Sequence, residues 1–338
     1  MAVEKSMTPF EIEGQEDSEA LEIEVVNPEA VSIETEDGGV IIDFEGDVAE
    51  SVVGPGHDAN LAEFIEDDEL KVMASDLVAD FQADRESRSD WARAYVKGLD
   101  LLGMKVEDRQ QPWSGASGVF HPLLTEAVVR FQAQAMGEIF PASGPVRTKI
   151  VGKQTPERTD QANRVQNEMN YLLTEEMSEY RDEMEQMLFK LPIAGSAFKK
   201  VYYDPLMERP CAMFVPSEDF VASYGASDLK TCPRYTHVMK KTANEVLQLQ
   251  VNGFYKEGEL PEPTPDYSDI QEKYDELDGE EAVIEDDDRH TILEMHVDLN
   301  LEGEFEDPDG IARPYVVTVD KSSSTVLAIR RNWYEDDE

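Results

Sequence analysis

The sequence predicts an α+β fold in which long helices pack on small antiparallel sheets, and three observations predict it. Two stretches, residues 67–103 and 155–192, hold apolar residues at helical spacing over far more than the roughly 11–12 residues of an average helix. Short runs rich in Val, Ile, Tyr and Thr, bounded by turn residues, gather in the second half of the chain. Strands and helices do not alternate regularly, which argues against a parallel βαβ succession.

From the N-terminus, residues 1–60 contain Lys5 as their only lysine or arginine. The run ALEIEVVNPEAVSIETEDGGVIIDF alternates apolar and acidic residues around Asp37, Gly38 and Gly39, which suits weak strand pairing through a turn. The expectation is a flexible acidic arm over 1–60.

A helical and α+β body is expected over 61–255, firm from about Asp67. There Leu70, Met73, Leu77 and Phe81, then Trp91, Tyr95 and Leu102, keep helical spacing after acids that suit a helix start, giving one long helix or two consecutive ones. Gly115 and Gly118 relax the next loop, and Pro122 fits the first turn of a helix that ends at Phe140 and Pro141. On that helix Leu124, Ala127, Val128, Phe131 and Ala135 form a packing stripe. A short strand is expected over 146–151, and Thr155 with Pro156 opens a second long helix running to Pro192. Strands follow at 198–203, 210–215 and 235–241. Thr242 and Glu245 make a capping box for a short helix that stops at Asn252 and Gly253. Residues 256–288 turn acidic and proline-bearing, the composition of an exposed insertion or loop. Residues 289–338 read as an antiparallel meander with strands at 291–299, 314–320 and 325–331.

Composition narrows the function. With 40% hydrophobic and 31% charged residues, the 338-residue chain can bury one or two cores. Its 74 acids against 30 bases give a formal net charge of -44, which opposes a phosphate-gripping nucleic-acid binder and adhesion to an anionic membrane. No run approaches the roughly 18 apolar residues of a membrane span, and the start lacks a secretory signal, so no membrane partner and a cytoplasmic origin are expected. Cys211 and Cys232 are too few for a disulfide scaffold and read as idle thiols.

Little chemistry is on offer. His57, His121, His237, His290 and His296 show no zinc-ligand spacing, and the acids 286–288 beside His290 read as a solvated loop. No G-x-S-x-G, H-E-x-x-H, Walker or G-x-G-x-x-G pattern occurs. The expectation is no enzyme: no catalytic residue, no cofactor and no metal. Two competing readings are an acidic interaction protein or DNA mimic, which would need compact acidic rows on ordered helices, and an unfamiliar hydrolase, which would need a deep pocket of convergent carboxylates.

The order of segments carries a resemblance. The helix around Trp91, then WSGASGVFHPLLTEAVVRFQAQAMGEIFPASGPVR, the helix ending LPIAGSAFKKVYYDP, and then VPSEDFVASYGASDL, RYTHVMKKTANEV and PYVVTVDKSSSTVLAIRRNW resemble, over residues 67–338, the portal proteins of short-tailed double-stranded DNA bacteriophages. What the resemblance implies is a structural subunit of the head-to-tail connector in the virion, assembled in the host cytoplasm. Such a subunit joins copies of itself in a ring, usually a dodecamer. Its partners would be the terminase packaging motor, the capsid and tail adaptor proteins. Double-stranded DNA would pass through without tight binding during packaging and ejection. The portion here is similar to the wing region, and because portal chains continue past this point, much of the stem, the clip and the crown is expected to be missing. As assembly or packing residues the reading selects Trp91, Trp113, Phe120, Phe131, Lys199 and Lys200.

Overall fold

The computed structural model describes residues 31–34, 40–43, 56–103, 113–116, 121–204, 207–264, 268–278, 289–301, 305 and 309–334. It divides into two units, Met1–Gly56 and His57–Glu338. In the first, β1 (Val31–Glu34) and β2 (Val40–Asp43) pair antiparallel from Val31 opposite Asp43 to Glu34 opposite Val40. This is the pairing the alternation of apolar and acidic residues predicts; the rest of the expected arm up to residue 55 lies outside the described residues.

The second unit is mixed α+β. Its helices are α1 (Asp67–Ser87), α2 (Ser89–Leu102), α3 (Leu123–Ile139), α4 (Pro156–Tyr171), α5 (Glu179–Ala194), α6 (Ala243–Val251) and α7 (Asp269–Asp278). A two-stranded antiparallel sheet joins β3 (Phe198–Asp204) to β4 (Arg209–Val215). The larger sheet is antiparallel throughout, in the order β5 (Phe220–Ala222), β6 (Arg234–Lys241), β7 (His290–Leu299), β8 (Arg313–Asp320), β9 (Thr325–Arg331).

The core sits on that sheet. Leu70, Leu77 and Phe81 of α1 pack on Leu293, Met295, Val317 and Ile329. On the opposite face α6 and Tyr255 cover Ile292, Leu327 and Ala328. Cover on both faces explains why β7 is buried almost throughout and does not show the clean alternation of a one-sided strand.

Between α1 and α2 the chain breaks at Arg88, whose guanidinium donates to the carbonyls of Ser217, Phe220 and Glu218 at 2.7, 2.7 and 2.6 Å. The predicted capping box opens α6: Thr242 Oγ1 accepts from Glu245 N at 3.3 Å, and the Glu245 carboxylate accepts from Thr242 N at 2.7 Å.

Several expectations change. The body starts before residue 61, because the Asn60 side chain donates to Leu327 O and accepts from Ile329 N, filling the open edge of β9. The second long helix is divided: a π turn at Leu172–Glu176 separates α4 from α5. Pro192 lies inside α5, which stops at Gly195 in the left-handed region. No strand forms over 146–151. Asn170 and Gln166 of α4 take its backbone groups instead, Asn170 bonding both N and O of Val146 and Gln166 accepting from Thr148 N. Within 256–288, α7 docks on α2 through Ile270, Tyr274 and Leu277, so this segment is more than a loop.

Candidate assembly face

α3 packs along α5 and also meets α2. Val128 is its one buried residue, Thr125 Oγ1 donates to Leu102 O at 3.2 Å, and Gln132 Nε2 donates to Glu185 O at 3.1 Å. At its end Phe140 meets Tyr180 edge-on at 6.0 Å, with Arg181 over the Phe140 ring. Of the predicted stripe, Val128 turns inward, whereas Ala127 and Phe131 remain exposed.

α4 is less enclosed still, with no buried residue. Thr155 caps its start by accepting from Arg158 N, and Pro156 fits the first turn. The residues it turns toward its own chain are polar, Gln166 and Asn170. Gly144 is needed for that contact: its φ is +94°, and a Cβ there would come within 2.6 to 2.8 Å of the Asn170 amide.

The predicted site residues do not form one cluster. Trp91 is packing: its ring stacks on Tyr95 at 5.2 Å and its Nε1–H donates to Ala194 O at 2.9 Å. Trp113 is 69% exposed, and Phe120 lies outside the described residues. Lys199 places its ammonium 4.1 Å from the Tyr180 ring, where burial pushes its pKa down. Lys200 pairs with the Glu294 carboxylate of its own chain, with Nζ 2.6 Å from Oε2. Neither lysine projects freely toward a neighbour, so their contribution to an interface would be through the strand they hold in place.

Glu294 anchors a polar patch on the sheet. Burial pushes its pKa up, but His296 and the Lys200 ammonium outweigh that and hold the carboxyl at about 2. Beside it, burial and then Lys200 push His237 down to about 4. Rings line the same face: Phe198 stacks on Phe220, Phe220 on Tyr235, and Tyr235 on His296 at 4.5 Å.

A second polar cluster joins α2, α5, α7 and the turn before β5, and sequence reasoning missed it. Glu218 accepts from Lys190 Nζ at 2.9 Å and from Tyr274 Oη at 3.2 Å, while Tyr274 and Tyr95 share a 2.7 Å hydroxyl contact. Burial, then the neighbouring Glu218, raise Asp219 to about 6. An open cleft of about 270 Å³ lies here, lined by Arg88, Trp91, Asp219, Lys240 and Ile270 among others. Adjacent Glu and Asp in PSEDF carry no local signature; their environment comes from helices far away in sequence. His290 stands 3.4 Å from the fully buried Asp320, and the neighbouring acids 286–288 lie outside the described residues. Among the described residues no group of three or more His, Cys, Asp or Glu side chains is placed to hold a metal ion.

The chain matches no protein-family model and no curated protein. Among the described residues no helix is long and apolar enough to cross a membrane.

Proposed function

We propose that this chain is a structural, non-enzymatic subunit of the portal ring at the capsid vertex of a short-tailed double-stranded DNA bacteriophage. The resemblance in segment order supports the family. The observation that carries the assembly role is α4, a 16-residue helix with no buried residue whose apolar side chains face outward. A helix so exposed takes little stability from packing against its own chain, which leaves room for a partner, because most helical stability in proteins comes from the packing of an amphipathic face.

In this reading the wing-like body and its acidic arm form one sector of a ring, the terminase motor supplies the energy of packaging, and tail adaptors bind the assembled ring. The charge of -44 suits the passage of DNA. Binding through phosphates requires Lys and Arg that displace counterions, whereas an acidic wall repels DNA within a Debye length of about 8 Å at physiological salt and lets it slide. Electron microscopy of the complete gene product tests the reading: closed rings with a central channel are expected, and a monodisperse monomer at micromolar concentration overturns it.

A further inference from the structure

Two helices of the body present apolar stripes that the described residues leave exposed. On α3, Leu123, Ala127 and Phe131 stand at i, i+4 and i+8, all exposed, Leu123 at 65% and Phe131 at 40%. On α4, Val165 and Met169 stand at i and i+4, at 46% and 42%. An amphipathic helix at a protein surface ordinarily turns its apolar stripe inward. α4 does the reverse, giving Gln166 and Asn170 to its own chain and its apolar stripe to the outside.

Charge selects the occupant. Residues 121–171 hold six lysines and arginines against five acids, a net +1 in a chain of -44. Two copies therefore repel one another nearly everywhere, but along this segment the repulsion is absent and apolar area is available. We infer that α4 of one copy lays Val165 and Met169 against the Leu123, Ala127 and Phe131 stripe of α3 in a second copy. The stripe on α3 runs about 12 Å, and the small Ala127 between two large side chains leaves a hollow that a flexible methionine fills. The two surfaces differ, so the contact is heterologous: each copy uses α4 toward one neighbour and α3 toward the other. It rests on the portal reading only for closure of the series into a ring.

Mixed cross-linking of the full-length chain tests this directly. One preparation carries Phe131→Cys, the other Met169→Cys, both with Cys232→Ser; Cys211 is buried and stays. Mild oxidation of the mixture should give a disulfide-linked dimer that neither preparation gives alone. Linking within either single preparation, or none in the mixture, overturns the contact. Separately, Met169→Asp should weaken self-association at least about tenfold, as loss of an interface hot spot does. Val72→Asp, at another exposed apolar position on α1, should leave association unchanged. Phe131, Met169 and Val72 are exposed, so circular dichroism should report unaltered folding. Rings that persist unchanged with Met169→Asp sink this contact and leave the portal reading standing. Mixed cross-links on open filaments or discrete dimers sink the portal reading and leave the contact standing.

Discussion

Asp219 and Glu294 are partly buried carboxyls that affect stability in opposite directions. Asp219 has a folded pKa of about 6 against an ordinary 3.8, raised by burial and then by Glu218, with Lys190, Lys240 and Arg88 pulling the other way. The folded protein therefore holds this proton more tightly than the unfolded chain. The resulting stability is fully present below about pH 4 and is lost as pH rises through 6, by roughly 2–3 kcal/mol. Asp219→Asn should remove that loss, so thermal melts at pH 5 and pH 7.5 should differ less for the variant than for the parent; an identical pH response would refute the placement of this carboxyl. For Glu294, held at about 2 against an ordinary 4.5, the stability is present above 4.5 and disappears as pH falls toward 2, outside the window of that experiment. Its partner is tested by substitution. Lys200→Met strands a mostly buried carboxylate and should cost about 2–3 kcal/mol, less than the 3–5 of a fully buried pair, whereas Lys200→Met with Glu294→Leu should recover most of it in urea titrations.

The helix α4 depends on a few polar contacts with residues 146–148, and this gives the element its own prediction. Gly144→Ala places a methyl where the Asn170 amide sits and forces a non-glycine residue to φ +94°. A loss of about 1–3 kcal/mol in the local opening of this arm is expected, read as faster hydrogen exchange at Val146 and Thr148 with the sheet amides unchanged. The same segment shows what was legible in the sequence. Thr242 and Glu245 were legible because a capping box is complete within four residues, and the α1 stripe because Leu70, Leu77 and Phe81 repeat at helical spacing over a long window. The run at 146–151 forms no strand because side chains of α4, and not a second strand, take the backbone groups of Val146 and Thr148. For α7 the signal was present, since Ile270, Tyr274 and Leu277 stand at i, i+4 and i+7, but the acidic, proline-bearing surroundings outweighed it. At the candidate face, periodicity identified a stripe on α3 without telling how deeply each member is covered: Val128 is buried, whereas Phe131 stays 40% exposed. That distinction is tertiary, as is the environment of Asp219.

At the scale of the molecule, charge and apolar burial make opposite demands on salt. A chain of -44 repels its own copies, and that repulsion reaches about 30 Å at 0.01 M salt but only about 8 Å at 0.15 M. If copies were joined mainly by lysines reaching acids of a neighbour, added salt would weaken the assembly. Within the chain Lys200 pairs with Glu294, Arg209 with Glu179 and Lys190 with Glu218. The near-neutral apolar segment on α3 and α4 offers copies an attraction that salt does not screen. Self-association should therefore strengthen as salt rises from about 0.02 M to 0.15 M and then level off, because beyond that the Debye length is already shorter than the spacing between most charges on facing copies. Sedimentation velocity at fixed protein concentration measures this through the weight-average sedimentation coefficient. A steady fall in that coefficient with added salt would mean that ion pairs between copies dominate, and would move the interface away from α3 and α4 toward the charged surfaces of the body.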